Sequence, residues 1–393
     1  MTSSEHAIAP VEFASRRTEA AALARAQGLD GLIVVSRGGG TLDRYGDVLY
    51  LTNFYTSFPF IPDLPGSWTG RAHAFFILST EGASHLVIDC PNDGRIALAT
   101  NEIERSDLVI ESVVTALKRM GLAKSKIGLA GSDVLTVSAL RAFEAALPSM
   151  RIEEAGGILA QIRAVKSLAE IAALRRASEL GSRMIEAMMA AADPGASHGD
   201  VVAAGQQVLT PARGILYNSF MASGRGGDSP QYIRSNFPTW ASETRLEPGQ
   251  WFRIGISGAL DGYMFDLSRS KPIGPPTNRQ IELFEHAIDC VETGIGAVRP
   301  GVTAEDVAAA GLGRQKALGY DLTGVFSGLG HGLGLGWDSP WLAPGDQTAI
   351  VPGMVLCFER TILKDGFLGD FEETVLVTET GAEKITNARM RYW

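Results

Sequence analysis

The chain is short of cysteine, of positive charge and of unbroken apolar runs, and each shortage excludes something. Its 393 residues hold three cysteines, Cys90, Cys290 and Cys357, far apart and without CxxC spacing. That pattern excludes a disulfide scaffold and a cysteine-rich zinc module, and it points to reduced thiols in the cytoplasm. No stretch approaches the roughly 20 apolar residues that span a bilayer. The opening "MTSSEHAIAPVEFASRR" lacks a basic-then-apolar signal pattern. Lys and Arg number 35 against 44 Asp and Glu, a net charge of −9. Nucleic acid and anionic membranes reward basic patches, so neither is expected as a partner. A small-molecule substrate is compatible with that balance.

What is present describes a two-domain protein, since the length exceeds one ordinary core. The first part alternates helix and strand patterns. "FASRRTEAAALARAQGL" has helical spacing, "DGLIVVS", "AHAFFILS" and "SHLVID" read as buried strands, and "KIGLAG" precedes the helical "SALRAFEAAL". Alternation of this kind predicts an α/β domain, placed at 1–158. The stretch 54–71, rich in Pro, Gly and aromatics, reads as a binding lid or an exposed loop. The second part, 159–393, opens with one or two amphipathic helices over 163–192, where Met184 and Met188 read as core. "NRQIELFEHAIDCVETGIGAV" is another helix, and a further one follows Thr303, a predicted N-cap with Asp306 at the capping-box position. Between them lie the strand-like "GQWFRIGISGALDGYMFDLSRS", "GMVLCFERTIL" and "DFEETVLVTET".

Of six histidines, only His331 sits in a glycine-dense loop, "GLGHGLGLGWDSPWL", beside strands that carry carboxylates. Those carboxylates are Asp266, Glu359 and the adjacent pair Glu372 and Glu373. A carboxylate facing a buried sheet surface needs a partner or a metal, because burying the isolated charge is costly. Cys357, beside Glu359 on an apolar strand, reads as core rather than nucleophile.

In order, these pieces resemble the pita-bread family that includes methionine aminopeptidase, aminopeptidase P, creatinase and a dimethylsulfoniopropionate lyase. The resemblance is carried by "RAVKSLAEIAALRRA", "ASG" at 222–224, "LEPGQWFRIGISGALDGYMFDLSRS", "RPGVTAEDV", "GLGHGLGLG", "VPGMVLCFE" and "FEETVLVTETGAEKIT". It implies an α/β N-terminal domain followed by an α+β pita-bread catalytic domain. It also implies a metal set of Asp266, His331, Glu359 and Glu372. The family's peptidases have a further Asp eleven residues before the one matched by Asp266; here that position is Gly255, with Asp261 a nearby substitute. The resemblance therefore implies one divalent metal, Mn, Fe or Zn, or a metal-free acid–base site.

Two peptidase histidines are absent as well. Gln231 stands at the position of one and Asp338 at that of the other. These departures are similar to the small-molecule members. The expectation is a creatinase-like hydrolase of a C–N bond in a small, polar, carboxylate-bearing nitrogen compound. His331, Asp338, Glu359 and Glu372 would be catalytic, with Asp338 as the base between Trp337 and Trp341. Gln231, Trp337 and Trp341 would line the substrate. Arg71, in "GSWTGRAHAFFIL", resembles a substrate-carboxylate ligand reaching across a homodimer, with Trp68 as a wall. Three alternatives stay open: a dimethylsulfoniopropionate-type lyase, an Xaa-Pro-type metallopeptidase, and a non-catalytic protein-binding member of the fold.

Overall fold

The computed structural model describes residues 8–38, 46–56, 58–91, 94–227, 242–322 and 327–393, and the backbone alone of 231–234. The chain forms two compact units, Met1–Arg163 and Ala164–Trp393. No helix among the described residues is long and apolar enough to cross a membrane.

The N-terminal unit runs α1 (Pro10–Ala26), β1 (Gly31–Arg37), α2 (Gly46–Thr52), β2 (His73–Ser79), β3 (Ser84–Ile88), β4 (Ile103–Arg105), α3 (Val109–Arg119), β5 (Lys126–Ala130), α4 (Val137–Ala146), β6 (Arg151–Glu154) and α5 (Gly156–Ala164). Its strands make one mixed sheet in the order β4-β3-β2-β1-β5-β6. Alternation sets the core: Ile33 and Val35 of β1 and Phe75 and Ile77 of β2 pack with Val113 and Leu117 of α3 and Phe143 of α4. The described part of 54–71 holds no helix or strand, only isolated bridges at Leu64–Trp68 and Thr69–Leu108.

The C-terminal unit continues with α6 (Leu168–Ala191), α7 (His198–Leu209), β7 (Ile215–Gly224), β8 (Gln231–Arg234), β9 (Trp251–Leu260), β10 (Tyr263–Pro272), α8 (Asn278–Ala297), α9 (Ala304–Ala317), β11 (Gly330–Leu333), β12 (Trp337–Leu342), β13 (Val355–Lys364), β14 (Phe367–Thr378) and β15 (Gly381–Lys384). One sheet has the order β10-β9-β7-β8, the other β12-β11-β13-β14-β15. The stretch 163–192 resolves into the single long helix α6, opened by a capping box between Ser167 and Glu170. Thr303 caps α9 with Asp306 as its reciprocal partner.

Each sheet of this unit has one face against helices. Phe252, Ile254 and Ile256 of β9, with Phe265 and Leu267 of β10, pack on Met184, Ile185 and Met188 of α6. Leu356 and Phe358 of β13, with Phe371 and Val375 of β14, pack on Leu283, Ala287 and Val291 of α8. Because side chains alternate, the residues between them, 253, 255 and 257, 266 and 268, 357 and 359, and 370 and 372, face the other way. That opposite face carries the site.

The glycines around His331 let strands approach. A Cβ at Gly330 would run into the Cys357 carbonyl of β13, and one at Gly332 into the Ser339 carbonyl of β12. Replacing Gly330 by Ala should therefore destabilise the protein by on the order of 2 kcal/mol, as overpacking against backbone does. Denaturant unfolding checks this; an unchanged midpoint would show that the close approach is not needed.

Candidate metal centre

Strand register assembles the site. The hairpin β9–β10 turns at Asp261 and Gly262, whose φ of +52° and +90° are what an Asp-Gly hairpin turn requires. This turn sets Asp266 opposite Ser257, Ser268 opposite Gly255 and Ser270 opposite Arg253. In β13–β14, Glu359 lies directly opposite Glu372, Cys357 opposite Thr374 and Thr361 opposite Asp370. His331 on β11 lies opposite Cys357. Facing positions bring Cβ atoms to about 5 Å, so one patch collects three carboxylates, an imidazole and a thiol. Ligand atoms of Asp266, His331, Cys357 and Glu372 lie within 4.8 Å of one another.

The patch is buried, and its electrostatics follow. Burial, then the nearby Glu359, pushes the Asp266 carboxyl well above its usual range; a hydrogen bond from the Trp337 indole opposes this. Glu372 is pushed well up by burial, then by Asp266 and Glu359. Glu359 rises from 4.5 to about 7, through burial first and Asp370 second, against Arg253 and Arg360. Burial lowers His331 to about 4, so the imidazole is neutral. Its Nδ1 lies 2.9 Å from the Gly332 carbonyl. A proton on Nδ1 donated there leaves Nε2 with its lone pair as acceptor, 3.7 Å from Asp266 Oδ2. Trp337 Nε1 donates to the same Asp266 oxygen at 2.5 Å and fixes its orientation.

Carboxylates that repel one another in a dry patch beside a neutral imidazole fit a divalent cation, which cancels the repulsion and replaces the lost hydration. Asp266, His331, Glu359 and Glu372 would hold it. The Cys357 thiol is pushed well up, by burial before the surrounding acids. Its Sγ lies 3.3 Å from the Thr374 hydroxyl and within 4.8 Å of the ligand atoms of Asp266, His331 and Glu372. The sequence reading of Cys357 as core did not anticipate its sulfur entering this patch.

Other expected residues are placed elsewhere or differently. Trp337 and Trp341 are 46% and 39% exposed, with ring centres 5.3 and 5.8 Å from that of His331. Asp338 alternates to the other side of β12, where its Oδ2 lies 3.7 Å from Lys166 Nζ. Lys166 is buried and also donates to the Ala164 carbonyl at 3.1 Å. Asp261 is no substitute ligand: it sits at the hairpin tip, its side chain 58% exposed and facing Arg176 at 3.8 Å. Glu373 points to the helix side, where Arg269 Nη2 donates to it at 2.6 Å. Gln231 belongs to β8, with its side chain outside the described residues. Arg71 and Trp68 belong to the N-terminal unit. There Arg71 Nε donates to Asp89 Oδ2 at 2.9 Å and Trp68 Nε1 to the Pro62 carbonyl at 3.0 Å.

Comparison with known proteins follows this geometry. A family model described as "Metallopeptidase family M24" matches residues 172–379, and the "Creatinase/Prolidase N-terminal domain" matches 16–165. The chain belongs to metallopeptidase family M24. It is thus a member of a hydrolase family, with the two-domain pita-bread architecture. Among M24 relatives, an Xaa-Pro dipeptidase of Pyrococcus furiosus is 27% identical over 233 residues, 58% of this chain and 65% of the relative. A probable dipeptidase PepE of Mycobacterium tuberculosis is 29% identical over 234 residues, 58% and 60% respectively. The chain thus spans less than two thirds of the length of these relatives. Solved structures share the fold. Xaa-Pro dipeptidase from Bacillus anthracis has a TM-score of 0.76 at 22% identity, covering 96% of this chain and 98% of its own. Dipeptidase PepE from Mycobacterium ulcerans has a TM-score of 0.78 at 24% identity, covering 98% of each chain.

These relatives overturn the expectation of a creatinase-like hydrolase of non-peptide C–N bonds. The names that recur, in sequence and in structure, are those of Xaa-Pro dipeptidases. Gly255, Gln231 and Asp338 pointed away from peptides because they mark missing side chains, and a missing side chain does not identify a new substrate.

The acids dictate a pH dependence. Glu359 is raised above its unfolded value, so the stability it contributes is full below about pH 4.5 and is lost as pH rises through about 7. In chelator-treated M24 protein the melting temperature should fall over that window. Metal should abolish the fall, and its uptake near pH 6 should release protons. Calorimetry in buffers of different ionisation enthalpy measures this; uptake without proton release would contradict it.

Proposed function

We propose that this chain is a divalent-metal-dependent peptidase of the Xaa-Pro type, acting on short peptides. The observation that carries the reading is the convergence of Asp266, His331 and Glu372 on one buried patch, with Glu359 directly opposite Glu372, and the names of the M24 relatives support it. A metal held there would polarise the scissile carbonyl and lower the pKa of an attacking water.

The remaining work falls to the chain's own groups. Glu359, directly opposite Glu372 at the edge of the metal patch, can accept a proton from water and pass it to the leaving nitrogen. That role matters here because Gln231 and Asp338 stand where the resembling peptidases have histidines. Trp337 orients Asp266 and, with Trp341, offers an exposed apolar wall beside His331 for a proline ring. Lys166 holds Asp338 beneath that wall, keeping β12 in place. The proposed setting is a cytoplasmic homodimer with a small-molecule substrate. It rests on the three scattered cysteines and on the N-terminal loop resemblance, in which Arg71 and Trp68 approach a substrate carboxylate.

The test is proline release from Xaa-Pro dipeptides by Mn-loaded protein, with non-proline dipeptides as comparison. Chelation should abolish it. Glu359→Gln should lower kcat by at least about 100-fold, the range of general acid–base contributions, while His331→Ala should also lose the metal. Metal-loaded protein that releases proline from no such peptide would overturn the reading.

A further inference from the structure

The metal patch has an asymmetric border. The ligand atoms of Asp266, His331 and Glu372 lie within 4.8 Å of one another, with Glu359 directly opposite Glu372, which suffices for one ion. A second ion beside the first would need another donor from the β9 side. There, position 255 has no side chain, and what borders its Cβ direction is a cation. A Cβ on Gly255 would lie 3.7 Å from Arg253 Nη2 and 4.0 Å from its Cζ, with Ser268 Cβ at 3.4 Å.

Arg253 is not free to leave. Its Nε and Nη2 donate to Asp370 Oδ2 at 2.9 and 2.6 Å, and its Nη1 donates to the Phe220 carbonyl at 3.2 Å. Asp370 is itself pinned, accepting from the Thr361 hydroxyl, while its backbone N–H donates to Ser270 Oγ at 2.8 Å. Asp370 is buried and lies two residues before Glu372 on the same face of β14. The charge of the guanidinium favours the ionised forms of Glu359 and Glu372.

We propose that this centre holds one divalent metal, and that Arg253, locked by Asp370 over Gly255, is the permanent cation on the flank where a second metal would otherwise bind. Arg253 is a positioning residue: paired with Asp370 beside Gly255, it occupies the flank and blocks a second ion, and the single metal makes the exchangeable bonds. The inference rests on the M24 metal-centre reading but not on peptide specificity, so an inactive protein with one metal would sink the substrate reading alone.

The test is metal content of the full chain, by mass spectrometry after equilibration at fixed free Mn, with thermal melting as a fold check. Wild type should bind one Mn per chain. Arg253→Lys should also bind one, because the cation remains. Gly255→Asp alone should stay at one, its added carboxylate paired with Arg253. Gly255→Asp combined with Arg253→Met should rise to two. Two Mn in wild type, or two in Gly255→Asp alone, would overturn the proposal, and so would a double variant that melts like wild type yet stays at one. If the double variant does not fold, the first two measurements decide.

Discussion

Mutual repulsion among desolvated carboxylates is the constraint around which the catalytic unit is arranged. Asp266, Glu359 and Glu372 face one another from three strands of two sheets, with Asp266 and Glu372 buried, Glu359 half-buried and Asp370 next along the same row. Left to themselves they would hold protons or force the sheets apart. The surrounding groups reduce that cost. Arg253 pairs with Asp370, Trp337 donates to Asp266, and His331 is held neutral with a lone pair turned inward. A divalent ion completes the balance, so the same repulsion that burdens the metal-free fold supplies metal affinity.

The two sheets make this arrangement possible through alternation. One face of each strand is apolar and lies against α6 or α8; the other is free to carry chemistry. Glu372 and Glu373 show the rule at its sharpest. Adjacent in sequence, one faces the metal patch and the other is buried among Arg269 and the backbone on the opposite side. Buried charges appear on both faces: Arg253 pairs with Asp370, Arg269 with Glu373, and Arg360 donates to Gln315 and to the Gly328 carbonyl.

Much of this was legible in sequence because it depends on local pattern. Thr303 with Asp306 announced the start of α9, and the strand-like runs carrying Asp266, Glu359 and Glu372 form β9–β10, β13 and β14. Of the residues in the order Asp266, His331, Glu359, Glu372, the fold brings Asp266, His331 and Glu372 together and sets Glu359 opposite Glu372. What was hidden depends on long-range partners. Arg253 and Asp370 lie 117 residues apart, and the Lys166–Asp338 pair joins the start of the unit to β12. No spacing rule links such positions. Asp261 seemed able to replace a ligand until the turn geometry put it at an exposed tip. The substrate was misread for a related reason: absent histidines and a glycine describe what was removed, whereas Arg253, which fills the space beside Gly255, is visible only in three dimensions.

The most direct measurement of the central claim is anomalous diffraction from crystals of the full chain grown with manganese. The account predicts one strong peak at bonding distance from Asp266, His331, Glu359 and Glu372, with the Arg253 guanidinium still on Asp370. No peak in that cluster, or manganese bound elsewhere while those four side chains remain uncoordinated, would contradict it.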